Sequence, residues 1–191
     1  MPAELQDRAD AVTRYLNFVV DALILASIAI LSHRMSLSPA HFGLRLIHWR
    51  RDLLVGTAAG TLLIATQAIL LRRVPIDPQH AFTNQVRKGS PFLWVFILFS
   101  ASFSEELWIA FCLVILTAAT HSAVLSVAMT ILVFAAMHYS YRFWGAAAVA
   151  VKGIVSAILF LNFGSVIVTF LYHFVGNLGS LHWNRYWRNV R

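Results

Sequence analysis

Six apolar runs, at residues 16–32, 53–71, 92–119, 122–140, 145–161 and 165–183, account for most of this 191-residue chain. Five of them are close to the roughly 20 residues an α-helix needs to cross the hydrocarbon core of a bilayer, and the third, with 28 residues, must tilt, kink or begin in the interface. Lipid offers no water to the backbone, so such a run must satisfy its own N–H and C=O groups by coiling into a helix. The expected fold is therefore all-α, a polytopic membrane bundle of about six transmembrane helices. Composition agrees, with 59% hydrophobic and only 12% charged residues where an average soluble domain carries about 25% charge.

The remaining sequence is short. Residues 1–15 mix acids and arginines without the apolar centre of a signal peptide, so they read as a polar amino-terminal segment that is retained. Residues 16–183 form the membrane-embedded domain, and 184–191 a basic tail. The net charge of +7 comes from arginines in the loops between apolar runs, where they anchor spans at anionic lipid surfaces. Membrane lipids are expected partners and nucleic acid is not. With six spans, Arg8, Arg14, Arg72, Arg73, Arg87, Lys88, Arg142, Arg185, Arg188 and Arg191 share one side, against Arg34, Arg45, Arg50 and Arg51 on the other. The positive-inside rule then places both termini in the cytoplasm, and the lack of a targeting segment suits a prokaryotic plasma membrane. Cys112 is the single cysteine, so neither an intrachain disulfide nor a cysteine zinc site can form.

Within this apolar frame a few ionisable side chains stand out. Glu105 and Glu106 lie in the third run, His138 in the fourth, and His173 with Asn177 in the sixth. A charge at the bilayer centre costs at least about 2.5 kcal/mol, so such residues are functional candidates. Adjacent glutamates leave a helix about 100° apart and cannot aim at one point; one can serve as a base while the other orients it. His138 could share a water with that base. His173 and Asn177, at i and i+4, occupy one helical face as two donors for a developing oxyanion. These residue types make a hydrolytic site without a serine or cysteine nucleophile.

The segments Ser104-Glu105-Glu106-Leu107, Phe134-Ala135-Ala136-Met137-His138 and His173-Phe174-Val175-Gly176-Asn177, in this order on separate apolar helices, resemble the three motifs of the CAAX protease and bacteriocin-processing family. Phe42-Gly43-Leu44-Arg45, followed by Trp49-Arg50-Arg51-Asp52, is similar to that family's upstream region. The resemblance covers roughly residues 40–183. It implies a glutamic intramembrane protease of the type II CAAX prenyl endopeptidase kind, in which Glu105 and His138 activate water, Glu106 supports the site, and His173 and Asn177 bind the oxyanion. It also implies a peptide or protein substrate, lipidated or leader-bearing, and no cofactor. The family's first motif is Glu-Glu-x-x-x-Arg, whereas this chain has Ala110 at the arginine position, and the usual proline before the glutamates is missing.

Other readings compete with this one. The glutamates could balance Lys152 or an interfacial arginine, while His138, four residues from Arg142, could be interfacial. Lys152 itself reads as a side chain snorkelling toward the Arg142 interface, and Asp21 as one reaching the surface. Depth counted from Trp94 and Trp183 puts Glu105 and His173 level, with His138 about 9 Å shallower. Glu105, His138 and His173 could instead be three zinc ligands. A non-catalytic relative that binds a membrane peptide or partner is the alternative function, and Ala110 is the feature that favours it. A small transporter would show repeats or broken helices, and neither is visible.

Overall fold

The computed structural model describes residues 19–31, 33, 34, 38–70, 91–138 and 142–188. Within them the chain is all helical, without a strand. The six helices are α1 (Val19–Leu31), α2 (Trp49–Leu70), α3 (Pro91–Thr120), α4 (Ala123–Met137), α5 (Arg142–Phe163) and α6 (Val166–Arg188). A single 3-10 turn, Pro39–Phe42, precedes α2. The segment 1–15 and the side chains of the tail lie outside the described residues.

Polar and apolar residues are distributed as lipid requires. Leu23, Leu54, Leu62, Leu132 and Val151 are exposed on the outside, whereas Asp52, Ser102, Glu106, Ser126, Thr130, Ser156, Thr169 and His173 are buried inside. An apolar exterior of this extent has no stable contact with water, and Ser102, Glu106, Ser126, Ser156, Thr169 and His173 find partners in the bundle. The chain is a membrane helical bundle. Among the described residues only three helices are long and apolar enough to cross a bilayer, at Trp49–Ile69, Val95–Thr120 and Gly145–Phe163. About six spans were expected and six helices are present among those residues, of which Val19–Leu31, Ala123–Met137 and Val166–Gly179 are shorter apolar stretches.

The α3–α4 hairpin sets the depth of the site. His121 adopts a left-handed backbone (φ 52°), and Ser122 caps α4 by accepting from the Leu125 amide. Glu105 lies 16 residues before His121 and His138 16 after Ser122, about 24 Å along each antiparallel helix. The two therefore come level. The expected 9 Å offset came from counting His138 four residues from Arg142 as an interface anchor; α4 stops at Met137, with His138 as its C-cap, and Arg142 opens α5.

α2 and α6 pack side by side in parallel, since Gly56 faces Val168 and Leu171, Gly60 faces Tyr172 and Val175, and Gly179 faces Ile64. A Cβ at Gly56 would stand 2.7 Å from both the Val168 carbonyl oxygen and the Leu171 Cβ, so the small residues let the backbones meet. The loop before α2 is tied to the α5–α6 turn. Gly43, with a left-handed φ of 76°, accepts a bond from the Val166 amide at 3.1 Å, and Arg45 donates to the Phe163 carbonyl. Arg51 lies over the Phe163 ring and pairs with the buried Asp52 at 2.9 Å. α3 runs through the middle. Its Leu107 belongs to an apolar cluster with Ile24, Ile28 and Phe42, while Ile109, Ala110 and Leu113 join Ile131, Phe134, Ala157, Phe160 and Val166 in another.

Candidate active site

Glu105, Glu106, His138 and His173, from α3, the end of α4 and α6, meet in one polar cluster. Glu106 is 2% exposed, and its Oε1 lies 2.8 Å from His173 Nδ1. Its other oxygen accepts a hydrogen bond from Ser156 Oγ on α5. Both oxygens are thus engaged, as a buried carboxylate requires.

Glu105 points elsewhere. Its side chain is 32% exposed, with Oε1 at 4.0 Å from His138 Nε2 and Oε2 at 3.5 Å from His173 Nε2. The 100° between adjacent residues does separate the two carboxylates, yet they address opposite nitrogens of the same His173 ring. They thus aim at different points, as the helical spacing requires, because an imidazole is wide enough to be approached from both edges.

Proton positions follow from the partners. His138 Nδ1 lies 2.8 Å from the Phe134 carbonyl oxygen, which only accepts, so Nδ1 carries the hydrogen. In the neutral ring Nε2 is then an acceptor facing Glu105. Two acceptors 4.0 Å apart are beyond direct hydrogen bonding but within bridging distance of one water. That water would donate both hydrogens and turn its lone pairs outward, the arrangement a nucleophile needs. The His173–Glu106 pair, when it holds two protons, presents Nε2–H wherever the shared Nδ1 proton resides. Such a donor suits a developing oxyanion. Phe134, whose ring is 4.7 Å from that of His138, stacks on Trp108 and fixes the imidazole's position.

Asn177 lies one turn beyond His173 on α6 and is held twice. Its Oδ1 accepts from Lys152 Nζ at 2.8 Å, and its Nδ2 donates to Ser102 Oγ at 3.1 Å. Lys152 does not snorkel to an interface: it lies on the α5 face turned toward α6, where its ammonium also feels the charges of Glu105 and Glu106. Asp21 likewise turns inward and accepts from Ser104 Oγ, tying α1 beside the glutamates. Ala110 is 1% exposed within the apolar cluster.

Sequence reading missed Ser102, Ser156 and the inward turn of Lys152. A signal existed: Lys152 and Ser156 are i and i+4 on α5, as Ser102 and Glu106 are on α3, so each pair marks a polar stripe on an otherwise apolar helix. His33, His41, His48 and His121 are exposed, in keeping with the interfacial reading, and His80 and His182 lie outside the described residues. Among the described residues no three His, Cys, Asp or Glu side chains are grouped as metal ligands.

Residues 87–179 match the family model of type II CAAX prenyl endopeptidases, Rce1-like. The matched stretch spans the cluster, from before α3 to Gly179 on α6. No curated protein and no solved structure matches the chain.

Proposed function

We propose, for a chain whose residues 87–179 belong to the Rce1-like family of type II CAAX prenyl endopeptidases, that its polar cluster hydrolyses peptide bonds by glutamate-activated water. Membership makes it a membrane protease acting on a peptide or protein; the assignment of roles is our reading. Glu105 takes a proton from the water bridging it to His138 as the water oxygen attacks the scissile carbonyl carbon. The carbonyl oxygen, now negative, is met by His173 Nε2–H and the Asn177 amide. Glu106 orients the His173 ring through its contact with Nδ1. The C–N bond then breaks as Glu105 passes its proton to the departing amine, leaving a carboxylic acid and an amine.

The observation that carries this reading is the seat of the Glu105 carboxylate between two Nε2 atoms, at 3.5 and 4.0 Å, with the sealed Glu106 behind one of them. General base and oxyanion contacts are each worth about 10²-fold or more in rate. No step draws on a metal, and persistence of cleavage in chelator tests that against the zinc alternative. The substrate we envisage is lipidated or leader-bearing, the site a prokaryotic plasma membrane, and both termini cytoplasmic.

A second reading, a non-cleaving relative that binds a membrane peptide, is favoured by Ala110 alone. Comparing protein termini by mass spectrometry in cells with and without the gene separates the two. The proteolytic reading predicts a precursor that stays uncut without the gene, whereas unchanged termini together with a cross-linked peptide would select the binding protein.

A further inference from the structure

We propose that Lys152 is a positioning residue, whose ammonium locks the Asn177 side-chain amide in one of its two flip states. This rests on the hydrolytic reading of the site, which it deepens. A carboxamide turned by 180° exchanges its oxygen and its NH₂ group while keeping the same shape. What selects one state is the partner. Lys152 has three donors and no acceptor, so Asn177 must present Oδ1 to Nζ, as it does at 2.8 Å. Nδ2 is thereby turned toward α3, where one hydrogen goes to the fully buried Ser102 Oγ at 3.1 Å. The second hydrogen remains to be aimed at a substrate oxygen.

Ser102 cannot make this selection alone, because a hydroxyl donates as readily as it accepts. Without Lys152 both flip states would satisfy it, and about half the molecules would present an oxygen where the oxyanion forms. The placement of Lys152 is enforced by its helix. Gly153, next to it, lets α5 close on α4, since a Cβ there would stand 2.8 Å from Ile131. Ser156, one turn on, is anchored to Glu106. The titratable groups facing Lys152 are Glu105 and Glu106, whose negative charges offset part of what burial costs the ammonium.

The test uses the full-length protein reconstituted in liposomes and a synthetic peptide spanning the bond identified by terminal mass spectrometry. Lys152→Met should lower kcat by about 10- to 100-fold with KM nearly unchanged, the signature of a contact made in the transition state. Lys152→Arg, again a pure donor, should recover part of that loss. In an Asn177→Ala background Lys152→Met should cost no more than about twofold, because the residue it positions is gone. A readout independent of activity is the Asn177 side-chain amide signal in ¹⁵N-asparagine-labelled protein, assigned by its loss in Asn177→Asp. It should be a single sharp pair in the wild type and shift or broaden in Lys152→Met.

Equal losses from Lys152→Met in both backgrounds, or a kcat within twofold of wild type, would overturn the proposal. Lys152→Gln, whose amide offers donor or acceptor alike, gives the same comparison if the methionine variant does not fold. Absence of any cleavage by wild-type protein would sink the hydrolytic reading instead. In that event the amide signal still decides whether Lys152 fixes Asn177, and an unchanged signal would overturn it.

Discussion

Glu106→Gln isolates the contribution of the buried carboxylate. Glutamine has the same shape; with its single oxygen turned to His173 Nδ1 its NH₂ meets Ser156 Oγ, which then accepts instead of donating, and the 2.8 Å contact with His173 Nδ1 becomes a bond between neutral groups. What it removes is the negative charge beside the ring. A neutral His173 that donates Nδ1–H to the amide leaves Nε2 bare and loses one oxyanion donor. Loss of such a donor costs about 2.7–4 kcal/mol in the transition state, or about 10²- to 10³-fold in kcat. Substrate binding makes no use of that charge, so KM should move little. Because a buried charge is exchanged for a hydrogen-bonded amide of equal volume, the melting temperature in detergent should hold or rise slightly. The assay is steady-state cleavage of the identified peptide by reconstituted protein, with thermal unfolding measured in parallel. Wild-type kcat in a folded Glu106→Gln protein would refute the assignment of His173 as a carboxylate-supported donor.

Two further substitutions probe the frame. Gly56→Ala places a Cβ at 2.7 Å from the Val168 carbonyl and the Leu171 Cβ, so α6 must shift away from α2; about 1–3 kcal/mol of stability should be lost, with reduced activity because α6 carries His173. Unchanged melting and rate would show that the helices have slack at this crossing. Ala110→Arg forces a guanidinium into the apolar cluster around Ile109, Leu113 and Ala157, where an unpaired charge costs several kcal/mol. A lower melting temperature and no gain in rate are expected, and a faster, equally stable variant would show that position 110 can reach the carboxylates.

The helical membrane fold was legible because lipid leaves the backbone so few choices. Gly56 and Gly60, one turn apart, signal that some helix packs closely on α2, though not that it is α6. Gly176 and Gly179, facing Leu63 and Ile64 from the other helix, completed a pattern visible from one side only. The candidate residues stood out as charges in apolar runs, but their partners did not. Ser102 and Ser156 are small and cost little in a membrane helix, so nothing in composition flags them. Lys152 was read by its distance from Arg142 along the chain, whereas the face of α5 on which it lies decides where its ammonium goes. His138 was placed at the wrong depth because the end of α4 depends on its fit against α3. Counting from the His121–Ser122 turn would have levelled it with Glu105.

The central claim is that Glu105 activates water to cut a peptide bond within the membrane. It is tested most directly by adding purified, reconstituted protein to membranes from cells that lack it and reading new protein termini by mass spectrometry, with a zinc chelator present throughout. The account predicts at least one new pair of termini with the wild-type protein and none with folded Glu105→Ala. New termini produced equally by Glu105→Ala, or formed by the wild type only when zinc is restored, would contradict it.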